Sequence, residues 1–218
     1  MIVVENLVGG KFVTTDEAFD DISPLDNSII AKIPRTKSAD DAVFAAKHAF
    51  GEWSQLTIEQ RCDWLDKIAD TLESNIDEVA RLESLDTGKP FDVALNVDAS
   101  RSVNNFRFFA EYGRSMKSEK FEMSDATNYV MRKPIGIVGL ISPWNLPLYL
   151  LSWKIAPALL MGNVVIAKPS EITPLTAHFL GRLCTEIGLP GGVLNILNGF
   201  GPEIGQAIVE HPEICLLY

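Results

Sequence analysis

The sequence lacks most of the features that would name a function by themselves. It has only three cysteines in 218 residues, at 62, 184 and 215, with no C-x-x-C pair. That spacing argues against a disulfide framework and suits a reducing compartment. Basic residues are scarce: 19 Lys and Arg against 29 Asp and Glu, a net charge of -10. Phosphate backbones need clustered Lys and Arg, so a nucleic-acid surface is not expected. No run reaches the roughly 18–20 apolar residues of a membrane span. Residues 146–161 come nearest, and Lys154 and Pro157 interrupt them. The first residues (Met1, Ile2, Val3, Val4, Glu5) show no basic flank followed by a long apolar core and a cleavage site, so no signal peptide is read there. His48, His178 and His211 lie far apart without metal-ligand spacing. A soluble, cytoplasmic, acidic protein without a metal is the expectation.

What is present falls into two textures. Residues 1–116 read as mostly helical and charged, a segment that packs on the rest of the chain. Ala42, Ala45, Ala46, Ala49 and Phe50 recur at helical spacing, as do Leu65, Ile68, Ala69 and Leu72. Thr57 and Gln60 have the capping-box spacing that opens the second of these helices. Asp86-Thr87-Gly88-Lys89-Pro90 supplies the Gly and Pro that end the pair. A third helix is expected from Val93 to Tyr112, with Val103, Phe106, Phe109 and Ala110 on one face.

From 135 onward short apolar runs alternate with amphipathic stretches. Strands are expected near 137–141, 164–168, 193–197 and 214–218, with helices near 147–161, 174–187 and 202–210. Thr173 and Pro174 read as N-cap and first helical residue, and Gly188 with Pro190 as a stop. Strands that are apolar throughout, each followed by a helix, predict a parallel sheet covered on both faces. The fold class is therefore α/β, a doubly wound parallel sheet of the nucleotide-binding kind. The last strand ends the chain without cover, so the domain reads as incomplete.

Open α/β sheets bind ligands beyond the carboxyl ends of their strands. Three such ends carry distinctive residues: Ser142-Pro143-Trp144-Asn145, then Lys168-Pro169-Ser170-Glu171, then Gly199-Phe200-Gly201-Pro202 with Gly205. The usual G-x-G-x-x-G is missing; GFGPEIG is one residue longer. Asn145 reads two ways, as a cap for the helix beginning near Leu146 or as an amide donor to an oxyanion. Lys168 and Glu171 are either an exposed loop ion pair or part of a ligand site. Trp144 and Pro143 either line a ligand or pack the turn. Cys184 and Cys215 read as small core hydrophobes, and Trp53, Trp64 and Trp153 as packing residues.

The series PWNLP, GNVVIAKPSE, TPLTA and GFGPEIG, in that order and spacing, resembles the aldehyde dehydrogenase superfamily. The likeness runs through nearly the whole chain, including the DTGKP turn. RSVNNFRFFA and ISPWNLPLYLLSWKIAPAL look like the branch that oxidises 2-aminomuconic and 2-hydroxymuconic semialdehydes. The resemblance implies NAD as cofactor, an aldehyde as substrate and a homo-oligomer in the full-length form. By the same resemblance, residues 117–134 look like the start of the strand arm through which family subunits pair. It makes Asn145 the oxyanion donor. It puts Ile141, Ser142, Pro143, Trp144, Lys168, Ser170, Glu171, Gly201, Pro202 and Gly205 around the cofactor, with Lys168 and Glu171 on the adenosine ribose. A carboxylate there favours NAD over NADP, because a 2′-phosphate would meet like charge. Arg101 resembles a residue that grips a substrate carboxylate, a task suited to the guanidinium fork; a surface ion pair is the other reading.

The same resemblance implies a nucleophilic cysteine and a base glutamate, and neither is recognisable before Tyr218. Members are about twice this length or more. The chain is thus expected to be the N-terminal part of such an enzyme and inactive alone. A genuine short, non-catalytic NAD-binding or subunit-interaction protein is the alternative.

Overall fold

Apolar runs that alternate with helices build the centre of the molecule. The computed structural model describes residues 1–217. Strands β1 (Ile2–Val3), β2 (Asn6–Val8), β3 (Lys11–Val13), β4 (Ala18–Ile22) and β5 (Ile29–Pro34) open the chain. Helices α1 (Asp40–Trp53), α2 (Ile58–Ser74) and α3 (Ile76–Thr87) come after them. A short α4 (Phe91–Val93) runs through a π-helical stretch, Ala94–Ala99, into α5 (Ser100–Ser115). Next come an exposed hairpin, β6 (Glu119–Glu122) with β7 (Thr127–Val130), and then the alternating half. That half is β8 (Ile137–Ile141), α6 (Pro147–Leu160), β9 (Val164–Lys168), α7 (Leu175–Glu186), β10 (Leu194–Ile196), a π-helical turn Gly201–Gly205, α8 (Gln206–Glu210) and β11 (Ile214–Leu217).

The main sheet has the order β11-β8-β9-β10-β2-β3. Its first four strands are parallel, in register from Ile137↔Val164 to Ile141↔Lys168 and from Leu194↔Val165 to Ile196↔Ala167. Reading β10-β9-β8-β11 gives the third, second, first and fourth strands of the alternating half. That is the doubly wound order, with its switch point beside β8. Every residue of β9 is buried, so both sheet faces are covered. Leu151, Ile155 and Leu159 of α6 are fully buried beneath the sheet, each stabilising by about 1.5–3 kcal/mol.

The expected strands and helices of this half form within a residue or two of their predicted bounds. The first half differs more. Residues 1–34, read as part of a mostly helical segment, are strands instead: β2 and β3 extend the main sheet antiparallel, and β1-β5-β4 make a second sheet. Their signal is weak because they are two to six residues long, and β2 joins the main sheet only through distant β10. The capping box at Thr57 and Gln60 closes on both sides, at 3.2 and 2.8 Å. Gly88 ends α3 in the left-handed region, φ 73°, which glycine adopts without strain. The third helix starts before Val93 and is π-helical over Ala94–Ala99, a fault that a 3.6-residue period does not show.

Three smaller readings need correction. Helix α7 starts at Leu175, and the Thr173 hydroxyl caps nothing. Cys215 is exposed on the sheet edge, whereas Cys62 is fully buried between α2 and α5. There Gly113 lets the two helices touch: a Cβ would stand 2.6 Å from the Cys62 sulfur. Trp53 is buried, but Trp153 is exposed at 44%.

Candidate functional site

The carboxyl ends of β8, β9 and β10 converge because parallel strands end on one side of their sheet. At the end of β9, Lys168 is 2% exposed, so it is not a loop residue in solvent. Its Nζ donates to the Pro169 carbonyl and to Glu171 Oε2, both at 3.0 Å. The Glu171 carboxylate also faces the Gly201 amide. Burial works to raise the Glu171 carboxyl, but backbone amides and the Lys168 ammonium outweigh it and hold the group below its ordinary value. Gly205 lies against the Lys168 stem, its would-be Cβ 3.6 Å from Cδ. Ser170 is buried beneath this loop, and Pro202 is exposed at the start of the π-helical turn. The second and third strand ends are thus tied into one charged cradle.

Gly199 makes that tie possible. Its φ is +144°, and a Cβ would come within 2.9 Å of the Thr36 carbonyl oxygen. No larger residue fits there.

The end of β8 is built differently. The Ser142 amide donates to the Lys168 carbonyl at 3.1 Å, which fixes the strand, but the Ser142 hydroxyl is buried without a partner. Ile141 is half-buried, while Pro143, Trp144 and Asn145 are exposed. Asn145 does not cap α6: the N-cap is Leu146, without a side-chain hydrogen bond. Asn145 instead lines a cleft of about 360 Å³ shared with Trp144, Thr87, Lys89 and Ile172.

The cap of α7 comes from α3, and no local signal in the sequence points to it. Neither helix has a local side-chain cap. Asp86 Oδ2 instead accepts the Leu175 amide at 2.9 Å, at the first residue of α7. Glu83, one turn earlier and fully buried, faces the Leu148 amide of α6 and the Thr176 hydroxyl of α7 without closing a full hydrogen bond to either. Burial, with the neighbouring Asp98 charge, raises the Glu83 carboxyl to about 7. Lys89 moderates this from 3.8 Å, while its shorter contact, 2.8 Å, goes to Asp98. Asp86 is likewise raised well above its ordinary value, by burial and by Asp21. In sequence these acids look like ordinary polar positions beside a glycine turn; only tertiary packing reveals them.

Arg101 is exposed on α5 and makes no ion pair among the described residues. Its guanidinium lies over the Tyr149 ring, 6.0 Å from the centroid, and Tyr149 is one helical turn beyond Asn145. Trp153 and Phe108 continue this aromatic wall, with ring centroids 6.4 Å apart. Of this wall the sequence singles out only Trp153, as a packing residue. No helix among the described residues is long and apolar enough to cross a membrane.

A mainly parallel α/β sheet with a charged cradle and a glycine turn at its strand ends is the doubly wound architecture in which dinucleotide sites are found. The particular family emerges from comparison with known proteins. The family model described as "Aldehyde dehydrogenase family" matches residues 12–218, and the chain belongs to that family. It is 45% identical over 221 residues to the 2-aminomuconic semialdehyde dehydrogenase of Mus musculus, matching all of this chain and 45% of that protein. It is 40% identical over 222 residues to the 2-hydroxymuconic semialdehyde dehydrogenase of Pseudomonas sp. (strain CF600), covering 97% of the chain and 46% of that protein. Among solved structures, the NAD+ complex of an aldehyde dehydrogenase from Bacillus cereus superposes with a TM-score of 0.94. It is 37% identical, covering 98% of this chain and 45% of that one. The chain thus spans about 45% of the length of these relatives.

Proposed function

We propose that this chain supplies the cofactor-binding and oxyanion half of an NAD-dependent aldehyde dehydrogenase. The observation that carries the reading is the buried Lys168 paired with Glu171 beside the Gly201 amide. A carboxylate held ionised can accept two ribose hydroxyls, the ammonium beside it can donate to one, and the glycines of the turn let a pyrophosphate approach the backbone closely. These residues fit a dinucleotide without a 2′-phosphate. NAD, when bound, supplies the hydride acceptor.

The chain's own residues do the rest. Asn145, with no competing hydrogen bond, donates its amide to the aldehyde oxygen as negative charge grows there. Trp144 and Pro143 line the nicotinamide side of the cofactor, with Ile141 and Ser142 leading into it. Arg101, unpaired by any acid among the described residues, takes a carboxylate on the substrate. That feature favours a muconic-type semialdehyde, the substrate class named for the relatives above. The nucleophile is not one of the three cysteines. Cys62 and Cys184 are buried with raised thiols, the latter to about 12. Cys215 lies against Gly136, at the opposite end of β8 from Asn145.

The same reading divides the chain at 116 and 134. Residues 1–116 pack on the cofactor region 135–218, and 117–134 form an arm whose exposed hairpin strands suit pairing with a second subunit of a cytoplasmic homo-oligomer. That exposed arm also supports the other reading, a non-catalytic subunit-interaction protein. Calorimetric titration with NAD tests the cofactor assignment. Saturable binding weakened about tenfold or more by Glu171→Ala supports it, that being the scale of a lost charged hydrogen bond. No heat at millimolar NAD removes it.

A further inference from the structure

The Gly199–Gly205 turn is gripped from outside the nucleotide-binding half. The Phe200 ring sits between two groups of the small N-terminal sheet. Phe19 of β4 stacks on it, with centroids 4.5 Å apart and planes 29° from parallel. The guanidinium of Arg35, the residue after β5, lies 5.4 Å from the same ring. Arg35 Nε also donates to both carboxylate oxygens of Glu203, at 2.8 and 3.1 Å, and Nη2 donates to Oε1. Arg35 is itself anchored, its amide to the Glu17 carbonyl at 2.9 Å and its Nη1 to Glu17 Oε2 at 3.2 Å. Beside it, the Thr36 amide donates to the Asn198 carbonyl at 3.2 Å, and Asn6 Oδ1 accepts the Asn198 amide at 2.8 Å.

None of these gripping residues faces the Lys168–Glu171 cradle, yet each acts on the turn that delivers the Gly201 amide to it. The turn needs such help. It holds three glycines, and a glycine-rich segment loses more conformational freedom on ordering than any other. Among its own hydrogen bonds are the Glu203 and Gly205 amides to the Phe200 carbonyl, at 3.1 and 3.4 Å, and the Gln206 amide to the Gly201 and Glu203 carbonyls. Arg35 is partly exposed, so simple charge attraction is screened by solvent. What remains is shape: a planar fork that meets a carboxylate on its edge and an aromatic ring on its face. A lysine offers neither.

We propose that Arg35 and Phe19 are positioning residues for dinucleotide binding, bracing the Gly199–Gly205 turn from the N-terminal sheet. The inference rests on the cofactor reading above, and its test separates the two. Amide hydrogen exchange and NAD titration are run on the chain and on Arg35→Ala, Arg35→Lys and Phe19→Leu. The brace predicts about tenfold faster exchange at Glu203 and Gly205 in Arg35→Ala, with the β9 amides unchanged, and a Kd for NAD raised by a similar factor. Phe19→Leu moves both readouts the same way by less. Arg35→Lys behaves like the alanine variant, because the fork and not the charge is the working part. A merely structural role would lower the melting temperature and speed exchange throughout while leaving the Kd ratio near one. Unchanged exchange and Kd in Arg35→Ala, with NAD bound by the wild type, overturns the brace and leaves the cofactor reading intact. Faster turn exchange with unchanged Kd overturns its role in binding. No NAD binding by the wild type overturns the cofactor reading, and the proposal of a role in dinucleotide binding falls with it even where the exchange arm still finds the contact.

Discussion

The ends of β9 and β8 hold their functional groups in opposite ways. At the end of β9, Lys168 is buried, ion-paired and pressed against the glycine turn of the next strand. Four residues past the end of β8, Asn145 is exposed and bonded to nothing, positioned only by the helix that starts after it. One side of the site is preorganised by contacts within these residues. The other offers a free donor to a cleft. The difference teaches where each residue's effect will register: on the tied side in stability and affinity together, on the open side in chemistry alone.

Substitutions can break that contrast. The largest effect is expected at Gly199, where Gly199→Val puts a branched side chain at φ +144° and against the Thr36 backbone. Strain of this kind costs about 3 kcal/mol or more, read as a fall in the urea midpoint, and NAD affinity should fall with it.

Next comes the acid beneath both sides. Glu83 ionises near 7 when folded and near its ordinary 4.5 when unfolded. The folded state therefore holds the proton more tightly. Stability from this group is full below pH 4.5 and declines as pH rises through 7, by an amount on the order of 3 kcal/mol. Denaturation curves across pH 4.5–8 should show the decline in the wild type and a flatter profile in Glu83→Gln. Equal profiles would mean that Glu83 is already ionised or solvated.

The smallest effect sharpens the contrast. Asn145→Ala should leave stability within about 0.5 kcal/mol, as for an unbonded surface residue, and NAD affinity unchanged. A clear drop in melting temperature would show that Asn145 has a structural partner after all.

The alternating half was legible because its signals are local. Val164 to Lys168 is an apolar run closed by Pro169, and Gly188 and Pro190 stop α7, so strands, helices and strand-end residues could be placed from the sequence. The N-terminal strands carry no such signal. Asn6, buried at 2%, looks like a loop residue until its partner Asn198 is in view. Thr173 fits every rule for a cap, yet Asp86 from α3 takes that role. That Asn145 does not cap α6, and that Arg101 has no ion pair among the described residues, could be known only by seeing what each side chain touches. Local chemistry names the candidate groups; distant chain decides which hydrogen bonds they keep.

The pairing of Asn6 with Asn198 has a further side. The two residues are 192 positions apart, and a ribosome adds roughly 5–20 residues each second. Strands β2 and β3 can pair with each other at once, but Asn6 waits on the order of ten seconds or more for Asn198 while helices α1 to α7 are made. During synthesis the grip on the glycine turn therefore closes only once both of its ends exist, and Asn6 gains its final partner long after it emerges.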